Sequence, residues 1–493
     1  MHINRVFSSR RSLLLAVFSV LVIPVSLLRA GEFDEIDRHA LNAPPEIVSN
    51  LDSLVDYLVR PAHNEAEMLR AIFRWITANI VYDSEGFFAA FSTQFEITPA
   101  EEKPENKQEA SSTRIETAPA EVKTANKEGT GQPEAAGEEL TPEMVLQKRI
   151  ANCDGYSLLM EAMAKRVQQM TDLTQKAIVQ RVQQITDLTQ KDTSFKIVKI
   201  KGFAKGFGYR VASGFDKSNH AWNAVYLNGE WKMIDCTWGA GHPDERGQFV
   251  SEFEDYYFLT PPAELVYTHY PEDPAWQFID RKVTKDEFIG LAFLWPAFYK
   301  YGMHLNTHPG AIIQTGGEVE ISIGAPDSLL LDADLIGGGQ LLEGNYTFIQ
   351  NEQGGSRVKA VFPRPGEYVL RLYSKVNGSE EPYKETLNYK VLASAGEGEN
   401  IGFPLVYEKF LSNRACLYEP LQGRLKRGAI VSFKIKVPNA VNAAVVVDDR
   451  WEQLASVDSV FGGEVTVDGA SVGIYARFHG SLDYDCLLEY ETE

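Results

Sequence analysis

The chain has 493 residues, the composition of an ordinary globular protein and a formal charge of −20. That length exceeds what one hydrophobic core supports and implies about three domains. The acidity argues against a nucleic-acid binder, because no surplus of basic groups is available to displace counterions from phosphate. Four cysteines, Cys153, Cys236, Cys416 and Cys486, are too few for a disulfide-built scaffold, so hydrophobic cores must hold the domains together.

Residues 1–30 place Arg5, Arg10 and Arg11 around and ahead of an apolar run from Ser12 to Leu28 that closes on Arg29 and Ala30. This is the pattern of a signal peptide cleaved near Ala30. The expectation is a periplasmic or secreted protein with no stable membrane span after cleavage. For an exported chain, Cys416 and Cys486, which share one C-terminal segment, are compatible with a bridge and equally with two free thiols.

From 35 to 82 apolar residues recur at helical spacing, most clearly over 65–76, which predicts two helices. The stretch 97–140 changes to Glu, Lys, Pro, Ala and Thr without aromatics and predicts a disordered acidic insertion, since it cannot bury enough apolar surface to offset its ordering entropy. Thr141 followed by Pro142 then signals the start of a short helix. Within 166–191 the string RVQQMTDLTQK at 166–176 returns as RVQQITDLTQK at 181–191. A shift of fifteen residues is close to four helical turns. The duplication therefore predicts either a lengthened helix after Cys153 or a helical hairpin.

Beyond 194 the period falls towards two, predicting strands at 195–200, 220–227, 231–236 and 256–259, with a hairpin turn at Asn228 and Gly229. After about 306, short alternating strands between Gly, Pro and Asn punctuation predict one β-sandwich over 306–398 and a second over 399–493. His304 and His308 have the spacing of a helical metal pair, but Pro309 disfavours helix at His308 and no third ligand is near. The run of glycines at 337–339 does not lie between a strand and a helix. No metal, nucleotide or other cofactor is expected.

Three elements carry chemistry. Cys153 opens a helix in the string ANCDGYS, where the free amides and dipole of the N-terminus favour the thiolate, the form that attacks, and Gly155 removes bulk beside the sulfur. His220 and Asp235 lie on the two strands flanking the Asn228–Gly229 turn, so hairpin pairing brings them nearly opposite each other. An imidazole can take the thiol proton and return it to a leaving amine, while a carboxylate fixes its tautomer and orientation. Cys236 is expected on the opposite face from Asp235, in the core. Trp222 and Trp238 are expected to pack around the site, and the loop 205–209 to border its cleft.

The blocks CDGYS at 153–157, GFAKGFGY at 202–209, HAWN at 220–223 and DCTWG at 235–239, in that order, resemble the transglutaminase-like superfamily and within it the kyphoscoliosis peptidase and hillarin branch. The strings IFRWITANIVYD at 72–83, YFLTPP at 257–262 and YPEDPAW at 270–276 are similar to the flanking regions of that branch. The resemblance implies an α+β chain with a papain-like transglutaminase core over 31–305, followed by the two all-β domains. It implies Cys153 as nucleophile, His220 as base and Asp235 as its orienter, acting on a protein or peptide substrate. It also implies an oxyanion-hole side chain upstream of Cys153, for which Gln94 and Trp75 are the candidates. A cysteine peptidase or amidase, a protein-glutamine transglutaminase and a non-catalytic envelope-binding scaffold all remain open. In each reading the C-terminal β domains are available to hold cell-envelope components.

Overall fold

Prolines and asparagine caps divide the N-terminal region into three helices, where periodicity alone predicts two. In the computed structural model these are α1 (Asp34–Leu41), α2 (Leu51–Leu58) and α3 (Glu65–Asn79). Pro44 and Pro45 break the first pair and Pro61 the second; the side chains of Asn50 and Asn64 then accept the amides of Ser53 and Glu67 at 2.8 and 2.9 Å to start each new helix. The structure describes residues 31–84, 96–97, 122–123, 140–182, 195–244, 246–352, 354–396, 398 and 402–493, with the side chains of 96–97, 122–123 and 174–182 excepted. The expected leader, residue Gln94 and the second copy of the repeat beyond Val182 lie outside the described residues. Of the expected insertion, only a two-residue ladder pairing Glu96–Ile97 with Val122–Lys123 and the terminal Leu140 are described. Among the described residues no helix is long and apolar enough to cross a membrane.

Strand β1 (Val81–Tyr82), helix α4 (Pro142–Lys148), strand β2 (Ile150–Ala151) and helix α5 (Cys153–Val182) follow. Thr141 caps α4 by accepting the Met144 amide, as its position before Pro142 predicts. The first repeat copy lengthens α5. Val167 is buried, Met170 half-buried and Leu173 65% exposed, so the helix leaves the core within that copy.

The N-terminal half of α5 packs on an antiparallel sheet of β3 (Lys196–Ala204), β4 (His220–Leu227), β5 (Glu230–Ile234) and β6 (His269–Pro271), in the order β6-β3-β4-β5. Tyr156, Leu159, Met160, Met163 and Val167 of α5 share one core with Ile72, Phe73, Trp75 and Ile76 of α3 and Trp222, Val225 and Ile234 of the sheet. Burying a side chain of this size contributes about 1.5–3 kcal/mol, so the helix start is held where the sheet puts it.

Two expected strands are shorter or different. Strand β5 ends at Ile234, because the Asp235 side chain accepts the amides of Thr237 and Trp238 and thereby caps a short helix, α6 (Cys236–Ala240). Cys236 is buried, but as the first residue of that helix. The segment expected as a strand at 256–259 is a 3-10 turn, Asp255–Tyr257.

Two sandwiches complete the chain, and they repeat one plan. In the first, one sheet runs Phe293–Leu294, Lys384–Ala393, Gly366–Val376, Leu329–Gly337, Gln340–Leu341, with Ile312–Thr315 added parallel to Lys384–Ala393. The facing sheet runs His304–Leu305, Glu318–Gly324, Gly355–Val361, Thr347–Glu352. The second has Leu405–Val406, Asp485–Thr492, Val472–Phe478, Ala440–Val447, Arg450–Gln453, with Arg424–Leu425 parallel to Asp485–Thr492. Its facing sheet is Cys416–Glu419, Ala429–Lys436, Val460–Val467, Ala455–Val457. Every strand has a counterpart in the same place, and each sandwich has its own core. Because Phe293–Leu294 is already a sandwich strand, the first β unit takes in residues upstream of 306. Cys416 and Cys486 occupy different sheets of the second sandwich and are free, as are Cys153 and Cys236.

Candidate active site

The sequence around Cys153 puts its sulfur at a prepared helix terminus. Asn152 accepts the Gly155 amide at 3.1 Å, which caps α5 and makes Cys153 its first residue. Helix geometry leaves the first-turn amides, that of Cys153 among them, without intrahelical acceptors. The parallel ladder of β1 and β2 lays Tyr82 beside Ala151, one turn of chain before the thiol. Asp154 anchors the helix start to β3 through Lys199 at 2.9 Å and Lys201 at 3.5 Å. Asn223 of β4 donates to the Ser157 carbonyl at 3.0 Å from within the core. Gly155 serves packing rather than access to the sulfur: a Cβ there would lie 2.8 Å from that of Ala151.

His220 is equally constrained. The Asn219 side chain accepts from the Ala204 N–H at 2.7 Å and donates to the Ala204 carbonyl at 2.9 Å, which fastens the end of β3 to the start of β4. In the hairpin register Asn223 faces Ile234, so Asp235 is offset diagonally from His220 by two positions along β4 and β5. The cap turn at Asp235 closes that offset. His220 Nε2 lies 2.6 Å from Asp235 Oδ2, and the Cys153 sulfur is near enough to the same ring to raise its pKa. With Nε2 on the carboxylate, Nδ1 is the nitrogen left for the sulfur. The structure thus pairs His220 with Asp235 and sets the Cys153 sulfur in their neighbourhood.

Burial disfavours the charged form of His220, but the adjoining Asp235 carboxylate and the sulfur of Cys153 outweigh it and hold the ring's pKa well above the ordinary histidine value. Burial likewise opposes ionisation of Asp235, and His220 and His269 overcome it, so the carboxyl stays below the usual carboxylate range. These signs favour a cationic ring against an anionic carboxylate at neutral pH.

His269 has no place in the sequence reading. Its Nε2 is 3.1 Å from the same Asp235 Oδ2, its ring is buried, and its Nδ1 lies 2.9 Å from Thr268 Oγ1. Burial lowers its pKa to about 4, against a smaller opposing pull from Asp235. Nothing in the local string marks it. It reaches the site because β6 pairs with β3, where His269 faces Ala204. Only that long-range pairing, or the coincidence of a second histidine beside a strand-like stretch, signals it.

A pH prediction follows. Well above pH 6.5 neither the folded nor the unfolded state protonates His269; between about 6.5 and 4 the unfolded chain takes the proton and the folded protein largely does not. Stability contributed by this residue is therefore present above the unfolded value and lost as pH falls towards 4. Thermal unfolding of the wild type should show that loss, and the His269→Gln variant should show a shallower decline over the same window.

An open cleft borders His220, lined by Tyr82, Gly206, Phe207, Thr237, Trp238 and Phe249 among others. Trp238 faces it, Trp222 is in the core, and the loop after β3 borders it through Gly206, whose Cβ would lie 2.9 Å from Trp238. The buried Thr237 hydroxyl, which lines the cleft, has no hydrogen-bond partner among the described residues. Trp75 is buried under the Arg149 guanidinium, 4.6 Å from its ring, and does not line the cleft.

Among the described residues, the group with metal-ligand spacing is His220, Asp235 and His269. Two ligand atoms on one zinc lie roughly 3.3 Å apart, given bonds of about 2.0–2.1 Å in a tetrahedron. The 2.6 Å between His220 Nε2 and Asp235 Oδ2 is the span of a direct hydrogen bond. The three groups are closed on one another, and the arrangement suits proton transfer and charge orientation.

Comparison with known proteins shows what the chain is similar to. Residues 285–404 match the KY-like, immunoglobulin-like domain family, which is the first of the two sandwiches. The chain is similar to kyphoscoliosis peptidase of Homo sapiens, at 26% identity over 366 residues, 73% of this chain and 42% of that protein. It is also similar to hillarin of Drosophila melanogaster, at 36% over 148 residues, covering 27% of this chain and 18% of hillarin. The Lim and transglutaminase domain protein ltd-1 of Caenorhabditis elegans is 33% identical over 156 residues, 28% of this chain and 22% of ltd-1. These relatives are members of the transglutaminase-like branch that the sequence blocks resemble. The chain spans 42% of the length of the human peptidase it matches.

Proposed function

We propose that the protein is an exported thiol-dependent acyl-transfer enzyme with a papain-like transglutaminase core, cleaving peptide or isopeptide bonds as a cysteine peptidase or amidase. The observation that carries this reading is the buried His220–Asp235 contact of 2.6 Å, set beside a Cys153 that opens a capped helix and whose sulfur raises the pKa of the same ring. His220 takes the thiol proton, and the sulfur bonds to the substrate carbonyl carbon at the head of α5, where the free amides face the developing oxyanion. The tetrahedral adduct collapses as His220 returns the proton to the leaving amine, and water then resolves the thioester. An amine resolving the same thioester would make the enzyme a protein-glutamine transglutaminase, a reading favoured by the name of ltd-1. Export rests on the leader pattern of residues 1–30, and the repeated sandwiches are the surface proposed to hold envelope components.

Iodoacetamide labelling separates this reading from a scaffold that retains the fold. Labelling at mildly acidic pH is expected to be rapid, confined to Cys153 and lost in His220→Ala. Labelling no faster than that of a free thiol, and indifferent to His220, sinks the enzyme reading.

A further inference from the structure

Resting on that acyl-transfer reading, we infer that His269 is a positioning residue, an imidazole whose Nε2–H fills the last acceptor site of Asp235 and so holds the carboxylate for His220. The four sites can be assigned one by one. Oδ1 accepts the amides of Thr237 at 2.9 Å and Trp238 at 3.1 Å. Oδ2 accepts from His220 at 2.6 Å and from His269 at 3.1 Å. A carboxylate offers about four lone-pair sites, so this one is fully satisfied and has no freedom to swing.

The tautomer follows from the carboxylate, which when ionised can only accept, so the ring proton sits on Nε2. Nδ1 is then left to accept from the Thr268 hydroxyl, whose Oγ1 lies 2.9 Å away. A ring that accepts at Nδ1 carries its proton on Nε2, facing Asp235. Packing fixes the plane: Trp222 stacks edge-on at 5.0 Å and Trp238 lies 4.5 Å away. The titratable groups that face His269 are Asp235 and His220. Thr268, the two tryptophans and the small cavity behind the ring, lined by Met233, Leu265, Trp276 and other uncharged residues, add no charge. A buried ring in these surroundings donates without bringing a second cation to compete with His220 for the carboxylate. That distinguishes it from a structural filler, for which any apolar ring of the same size would serve.

The test measures the alkylation rate of Cys153 by iodoacetamide against pH in the intact protein, with peptide mass spectrometry to assign the site. His269→Phe keeps the ring and removes the donor; His269→Gln restores an N–H directed towards Oδ2. The Phe variant should react about tenfold or more slowly at mildly acidic pH, and the Gln variant should recover to within about threefold of wild type, the scale of one hydrogen bond to a charged group. A folded Phe variant that reacts at the wild-type rate, or a Gln variant no better than Phe, overturns the inference. Should the Phe variant not fold, Thr268→Val carries the test: a smaller loss in the same direction supports the assignment, and an unchanged rate overturns it. Nitrogen chemical shifts of His269 in the wild type should report the Nε2–H tautomer, and the opposite tautomer also overturns it. Slow, His220-independent labelling of the wild type would instead remove the acyl-transfer reading itself.

Discussion

Alanine at Cys153 is expected to abolish turnover, a loss on the order of 10⁵- to 10⁶-fold, while leaving the protein folded. The side chain is small and half-exposed, so its removal opens no core cavity. The helix start keeps its Asn152 cap and its Asp154 ion pairs. Incubation of wild type and Cys153→Ala with envelope proteins and peptidoglycan peptides, scored by mass, checks this directly. Released fragments with the wild type alone support hydrolysis, and cross-linked products with the wild type alone support transamidation. Equal products from both proteins would show that the thiol is not the nucleophile.

Asparagine at Asp235 should cost about 10³- to 10⁴-fold in kcat with little change in structure, because the amide presents a donor where the histidines need an acceptor. The Asn oxygen can keep the Thr237 and Trp238 amides, which preserves the cap of α6. Its nitrogen then faces His220 Nε2, and the ring must move its proton to Nδ1. That nitrogen can no longer accept from the thiol. His269 faces the same reversal, which Thr268 can absorb by donating to the Leu265 carbonyl instead. Circular dichroism of the variant should match wild type, and kinetics with any substrate found by the fragment screen should show the loss in kcat rather than KM. A variant with wild-type kcat would remove Asp235 from the mechanism.

Much of this site was legible because its pieces are local. An Asn-Gly turn flanked by strands brings His220 and Asp235 into neighbouring segments, and the string around Cys153 marks a helix start. What escaped was set by competition or by distance. Asp235 reads as the continuation of a period-two strand, and only its side-chain bonds to Thr237 and Trp238 turn the backbone into a helix. The glycine after the Cys-Asp pair reads as clearance for the sulfur, whereas its neighbour in space is Ala151. His269 depends on a strand pairing with residues more than sixty positions earlier, for which no short string carries a mark. In the sandwiches the alternation was plain strand by strand. The correspondence between the two emerged from the order of strands in the sheets, which turn signals do not encode.

One further feature bears on how the chain divides. Helix α7 (Lys285–Gly290) opens the region that matches the immunoglobulin-like family, yet its Phe288 is buried against Phe215 and Tyr270 of the preceding unit. Lys205, from the loop that borders the cleft, donates to the Leu291 carbonyl at 2.9 Å and lies over the Phe288 ring. A few residues on, Phe293–Leu294 joins the sandwich sheet. The stretch between is common property: the border at which the module is inherited runs through the middle of a packed aromatic nest. Cutting the gene there would strip the rim of the cleft of its backing, so heredity and cohesion partition this molecule at different places.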